Sequence, residues 1–116
     1  MRQIMAILAL AGLALAARAD GPDADKGLAA VAELGRVNGT ALACNRADIV
    51  GKAKALMVQR APKTRQYGEA FEVATNEAFL ALTADRARCP VDVILSLRFE
   101  AADLRFADIF PLPPAK

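Results

Sequence analysis

The chain has 116 residues, 55% of them in the hydrophobic set and 24% charged, with a formal net charge of +2. It holds two cysteines, a single serine (Ser96), no histidine and no tryptophan. One domain fits this length and two do not; the apolar content excludes a disordered chain; and without histidine there is no imidazole acid–base chemistry, no Ser-His-Asp or Cys-His triad and no His-ligated zinc.

The first nineteen residues read as an export signal. Arg2 supplies a positive n-region, Ile4 to Ala17 is an uncharged apolar run, and Ala17-Arg18-Ala19 is an A-x-A cleavage site. The run is shorter than the roughly 20 apolar residues that cross a bilayer, and no later stretch is longer. No transmembrane segment is therefore expected after cleavage, which makes Asp20 the first mature residue. Arg2 and Arg18 leave with the signal, so 15 bases fall to 13 against 13 acids and the net charge becomes zero. The global electrostatic case for nucleic-acid binding goes with them. A periplasmic or secreted location is oxidising, and there Cys44 and Cys89 are expected to form a disulfide. In the chain-entropy model, closing that long loop stabilises the fold by ~4 kcal/mol.

Along the mature chain, Asp20 to Asp25 is polar and is expected to be a loose lead. Leu34, Val37, Ala41 and Cys44 then share one helical face, with Lys26, Glu33, Arg36 and Thr40 opposite. This predicts a first helix over 26–43, with Asp23 or Asp25 as N-cap. Gly35 and Gly39 each cost that helix about 1 kcal/mol relative to alanine, and their spacing would let another helix approach closely. Asn38-Gly39-Thr40 matches the glycosylation acceptor pattern but falls inside the predicted helix, where Asn38 suits a hydrogen bond at a helix crossing.

Asn45-Arg46 marks a break. Ile49, Ala53, Leu56 and Met57 stripe a second helix over 46–61, with Asp48 in register to pair with Lys52. Pro62 ends it. Thr64 offers an N-cap for a third helix over 65–84, with Tyr67, Phe71, Ala74, Ala78 and Leu82 on its apolar face. Its wet face carries Arg65, Glu69, Glu72, Asn76 and Thr83. After a polar connection, Pro90 sits where a first helical residue would, and Asp92 lies in that first turn. Val91 to Leu97 would also suit a strand, but Leu95, Ala102, Phe106 and Ile109 keep helical spacing and predict a fourth helix over 90–109. Pro111, Pro113 and Pro114 make a short tail over 111–116. The fold expected over 20–110 is all-α, a four-helix up-down bundle or a related compact helical fold. Its first and fourth helices run opposite ways, which brings Cys44 beside Cys89.

The most conspicuous charge pattern is local. Between Arg46 and Arg65 stand six bases against Asp48 alone, and from Gln66 to Asp85 stand four acids and no base. Lys52, Lys54, Arg60, Lys63, Arg65 and Tyr67 are thus the candidate binding surface. It could hold an anion where Lys63, Thr64 and Arg65 meet the free N–H groups of the third helix. It could touch anionic lipid headgroups through the second helix. The plainer reading is a basic helix packed beside an acidic one. Glu69 with Glu72, and Asp103 with Asp108, are the carboxylate pairs a hydrolase would draw on, but such spacings also line solvated faces. Ser96 has no neighbouring base to activate it. The cysteines fit neither a two-residue redox spacing nor a metal-ligand set. No catalytic residue, metal ligand or cofactor is assigned.

These readings describe a small exported, non-enzymatic helical binding protein whose partner is another envelope protein or a small ligand. Its plan of signal, short α domain and one long-range disulfide resembles that of small acid-activated periplasmic chaperones. The likeness is one of architecture across the mature chain, so no functional residue transfers. It implies that protonating the acids, to leave about +13 at strongly acidic pH, would loosen the fold and expose its apolar stripes.

Overall fold

The first corner of the chain is set by Asn45, which takes the left-handed conformation at φ 60°. Around it the Arg46 N–H donates to the Ala41 carbonyl at 2.8 Å and the Asn45 N–H donates to the Leu42 carbonyl at 3.4 Å. This is a Schellman closure, and asparagine is the non-glycine residue that tolerates it best. The computed structural model describes residues 21–84 and 88–112, which hold four helices: α1 (Gly21–Ala43), α2 (Ala47–Arg60), α3 (Arg65–Ala84) and α4 (Asp92–Ile109). No strand occurs among the described residues. The expected signal segment and residues 113–116 of the tail lie outside them.

Three local expectations are corrected. The 21–25 stretch is the first turns of α1 and not a loose lead, so Asp23 and Asp25 sit inside the helix and do not cap it from outside. Proline is tolerated in a first turn and an acid near the helix start complements its dipole, so Pro22 and Asp25 suit the extension. Pro90 precedes α4 by two residues, and the Val91 carbonyl caps the helix by accepting from the Ile94 and Leu95 N–H groups at 2.9 and 3.2 Å. Cys89 is bonded to Cys44 and precedes a proline, both of which hold the chain extended there. Asp48 pairs with Arg46 and not with Lys52.

Thr64 does begin α3: its Oγ1 accepts from the Tyr67 N–H at 3.4 Å and its carbonyl from the Gly68 N–H at 3.1 Å. The predicted stripes also turn inward. Leu34, Val37 and Ala41 of α1, Ile49, Ala53 and Leu56 of α2, and Leu95, Ala102 and Phe106 of α4 are buried, joined by Val31 and Phe99. The Cys44–Cys89 bond, with Cα atoms 5.7 Å apart, ties the end of α1 to the approach to α4. Arg105 on α4 donates to Glu33 on α1 at 2.7 Å, so the two helices run antiparallel. Helices α2 and α4 run the same way: Arg46 meets Asp92 and Ser96 at their starts, and Arg60 meets Phe110 at their ends.

Helix α3 is placed differently. It lies against α1 and against neither α2 nor α4. It runs parallel to α1, with Gly35 opposite Phe71 and Ala74, and Gly39 opposite Thr75 and Ala78. A Cβ at Gly35 would stand 2.7 Å from the Phe71 carbonyl oxygen; one at Gly39 would overlap the Thr75 carbonyl oxygen. The close approach expected from the spacing of these glycines is therefore real. Asn38, buried between them, donates through Nδ2 to Thr75 Oγ1 at 3.1 Å. The same burial leaves no room for a glycan at Asn38 in the folded chain.

Candidate functional site

Two ends of the molecule gather polar side chains. At the disulfide end, Arg46 follows the α1 corner and turns its guanidinium onto α2 and α4. Nε and Nη2 donate to the two Asp48 carboxylate oxygens, both at 3.0 Å, in a bidentate fork. Nη2 also donates to Ser96 Oγ at 3.2 Å, and Nη1 to the Asp92 carbonyl at 3.3 Å. The hydrogen bonds from Arg46 hold the Asp48 carboxyl down at about 2, against an ordinary 3.8, and the same pairing raises the arginine. Arg46 is thus a structural bracket beside the disulfide, and Ser96 is one of its acceptors.

At the other end, the expected binding residues are largely engaged with the protein itself. Arg60 donates to the Phe110 carbonyl at 3.1 Å. Tyr67 stands edge-on to the Phe110 ring with centroids 5.7 Å apart. Lys63 turns back over the end of α2 and donates to the carbonyls of Met57, Val58 and Ala61, where a cation suits the negative end of the helix dipole. Lys52 lies over the Phe99 ring, 5.9 Å from its centroid. Lys52, Lys54 and Arg65 are exposed without an ion pair or side-chain hydrogen bond among the described residues, and of these Lys52 alone has the aromatic ring beneath it. The structure brings Arg60 and Tyr67 together on Phe110 and leaves the rest of the set scattered.

Two consequences follow for the charge pattern. Basic α2 and acidic α3 do not touch, so the expectation that they support each other is corrected: α1 stands between them. The start of α3 is also not an assembled anion pocket, because the Lys63 ammonium points the other way. Glu69 and Glu72 are exposed on the wet face of α3; Asp103 is half-buried and Asp108 exposed on α4.

Two features escaped the sequence reading. Helix α4 is apolar on both sides: opposite Leu95, Phe99, Ala102 and Phe106 stand Ile94, Leu97 and Leu104, exposed by 40, 53 and 74%. The signal was present in Val91 to Leu97, which has more apolar residues than one helical face can bury. The second is a trough of about 620 Å³ above α1, between α3 and α4. Leu82, Ala81 and Ala101 contribute its apolar surface over the buried Val37 and Leu95, and Arg36, Arg88 and Arg98 also line it. No periodicity could reveal it, because it depends on where α3 docks.

No helix among the described residues is long and apolar enough to cross a membrane. Compared with protein-family models, curated proteins and solved structures, the chain matches none.

Proposed function

We propose that the protein is an exported binding module that acts without covalent chemistry, and that its partner is another envelope protein seated on the outward face of α4. The observation that carries this reading is the exposed stripe of Ile94, Leu97 and Leu104. With Ala101 it recurs at i, i+3, i+7 and i+10, a straight line roughly 15 Å long that fits a facing amphipathic helix. A helix apolar all round belongs in a core, and a contiguous exposed stripe of this kind marks an interaction surface.

The test is retention of a partner from envelope extract by the mature protein and by a Leu97→Gln/Leu104→Gln variant. Both side chains are exposed, so the variant should keep its helical circular dichroism while losing the partner. Equal retention by the variant rejects the α4 face. Loss instead in a Lys54→Gln/Arg65→Gln variant would move the contact to the basic segment, with anionic vesicles as the alternative target there.

The acid-activated reading has one observation in its favour. The Arg46–Asp92 and Arg105–Glu33 pairs join helices through carboxylates, and protonation would weaken both. Suppression of client aggregation should then be stronger at pH 2 to 3 than at neutral pH, and no gain on acidification ends that reading.

A further inference from the structure

We infer that the trough above α1 is a binding site for a long-chain carboxylate. Its origin lies in the docking of α3. Because α3 leans on α1 through Gly35 and Gly39 and does not reach α4, a strip of α1 between them stays uncovered. Leu82, Ala81 and Ala101 give the trough its apolar surface above the buried Val37 and Leu95, and covering such surface from water is favourable. A hydrocarbon chain would recover that free energy.

The charges around the trough select the head of the ligand. Arg36 comes from α1, Arg88 from the segment before the disulfide and Arg98 from α4, and all three are exposed at the lining. Among the described residues the one carboxylate that lines the trough, Glu33, is already engaged by Arg105 at 2.7 Å. The trough is therefore cationic above an apolar floor, which is complementary to an anion-headed chain and to neither a sugar nor a cation. Guanidinium forks accept a carboxylate with two parallel hydrogen bonds. The volume lies within the range of small-molecule sites, roughly 300–1,000 Å³. Residues from four separate parts of the chain meet here, so the site exists only in the folded protein. It adjoins the outward face of α4 at Ala101, which lines both, and does not depend on that face being an interface.

Calorimetric titration of the mature protein with tetradecanoate, below the concentration at which the acid self-associates, tests the inference. One equivalent should bind saturably. 1-Tetradecanol, which lacks the charge, and acetate, which lacks the chain, should each bind at least tenfold more weakly. Arg36→Gln/Arg98→Gln should weaken tetradecanoate at least tenfold and leave the alcohol unaffected. Ala81→Trp, at an exposed position on the α3 wall, should block both ligands, and circular dichroism checks that each variant is folded. The Leu97→Gln/Leu104→Gln variant should bind as the wild type does. Equal affinity for acid and alcohol, undiminished binding by the arginine variant, absence of saturation, or loss in the α4-face variant would each overturn the assignment.

Discussion

Helix α1 packs on two sides by two different means. Towards α2 and α4 it meets large side chains: Leu34 packs into a core with Ile49, Leu95, Phe99 and Phe106, each of which gains ~1.5–3 kcal/mol by leaving water. Towards α3 it offers almost no side chain. There Gly35 and Gly39 let two backbones come together over Ala74 and Ala78, and the gain is the dispersion of many close atom pairs. The cross-links are divided just as unevenly. The disulfide, the Arg46 bracket, the Arg105–Glu33 pair and the Arg60–Phe110 bond all serve the α1–α2–α4 side. Helix α3 has the Asn38–Thr75 hydrogen bond, which leaves Asn38 Oδ1 buried without a partner, and the Tyr67–Phe110 contact at one end. A bundle can thus be cross-linked on one side and latched by close backbone packing on the other, with one helix common to both.

Cutting into the cross-linked side should have the largest effect. Phe106 is fully buried, and Phe106→Ala should cost ~3–5 kcal/mol in urea unfolding, with protection from hydrogen exchange falling in α1, α2 and α4 together. A shared loss confined to α3 would contradict this division.

Gly39→Ala probes the latched side. The added Cβ meets backbone at Thr75, which cannot swing away, so the helices must part. A cost of ~1–3 kcal/mol is expected, with exchange protection lost in α3 while α2 and α4 keep theirs. Gly51→Ala is the matched control, since nothing lies within 4 Å of its added methyl. There the helix propensity of alanine acts alone, and stabilisation by ~0.5–1 kcal/mol is expected. Opposite signs at Gly39 and Gly51 would separate close packing from propensity.

The smallest effect concerns acid. Asp48 is held at about 2 in the folded chain against 3.8 ordinarily, so its carboxylate is favoured by folding. The contribution is complete above the ordinary value and is lost as pH falls from about 4 towards about 2, because the unfolded chain takes up the proton first. An NMR titration of the Asp48 carboxyl checks the value. In Asp48→Asn, the part of the acid dependence confined to that window should vanish, and an unchanged profile would remove the bracket from the account.

Much of the cross-linked side was legible in the sequence. The stripes of Ile49, Ala53 and Leu56 or of Leu95, Ala102 and Phe106 follow from periodicity, and the Cys44–Cys89 pairing was expected from a lone cysteine pair in an exported chain, with which the helix order agrees. Gly35 and Gly39 also announced a close neighbour. Which helix would take that place was not readable, because glycine spacing specifies a gap and not its occupant. The same ignorance led to the expectation that basic α2 lies beside acidic α3, when α1 separates them. The basic residues misled for a related reason. A charge count treats Arg46, Lys52, Arg60 and Lys63 alike, whereas their long side chains reach backbone carbonyls, a carboxylate and an aromatic ring that only the folded chain brings near. The trough was hidden entirely, since it is the space that α3 leaves when it chooses α1 over α4.

The sulfur bridge also closes a ring that contains both α2 and α3. A protease that nicks the exposed Pro62–Thr64 turn would therefore release no fragment: the product would be one covalent molecule heavier by a single water. Only a reductant would part the two pieces, and until then the severed strands would remain neighbours and could seal back into the same shape.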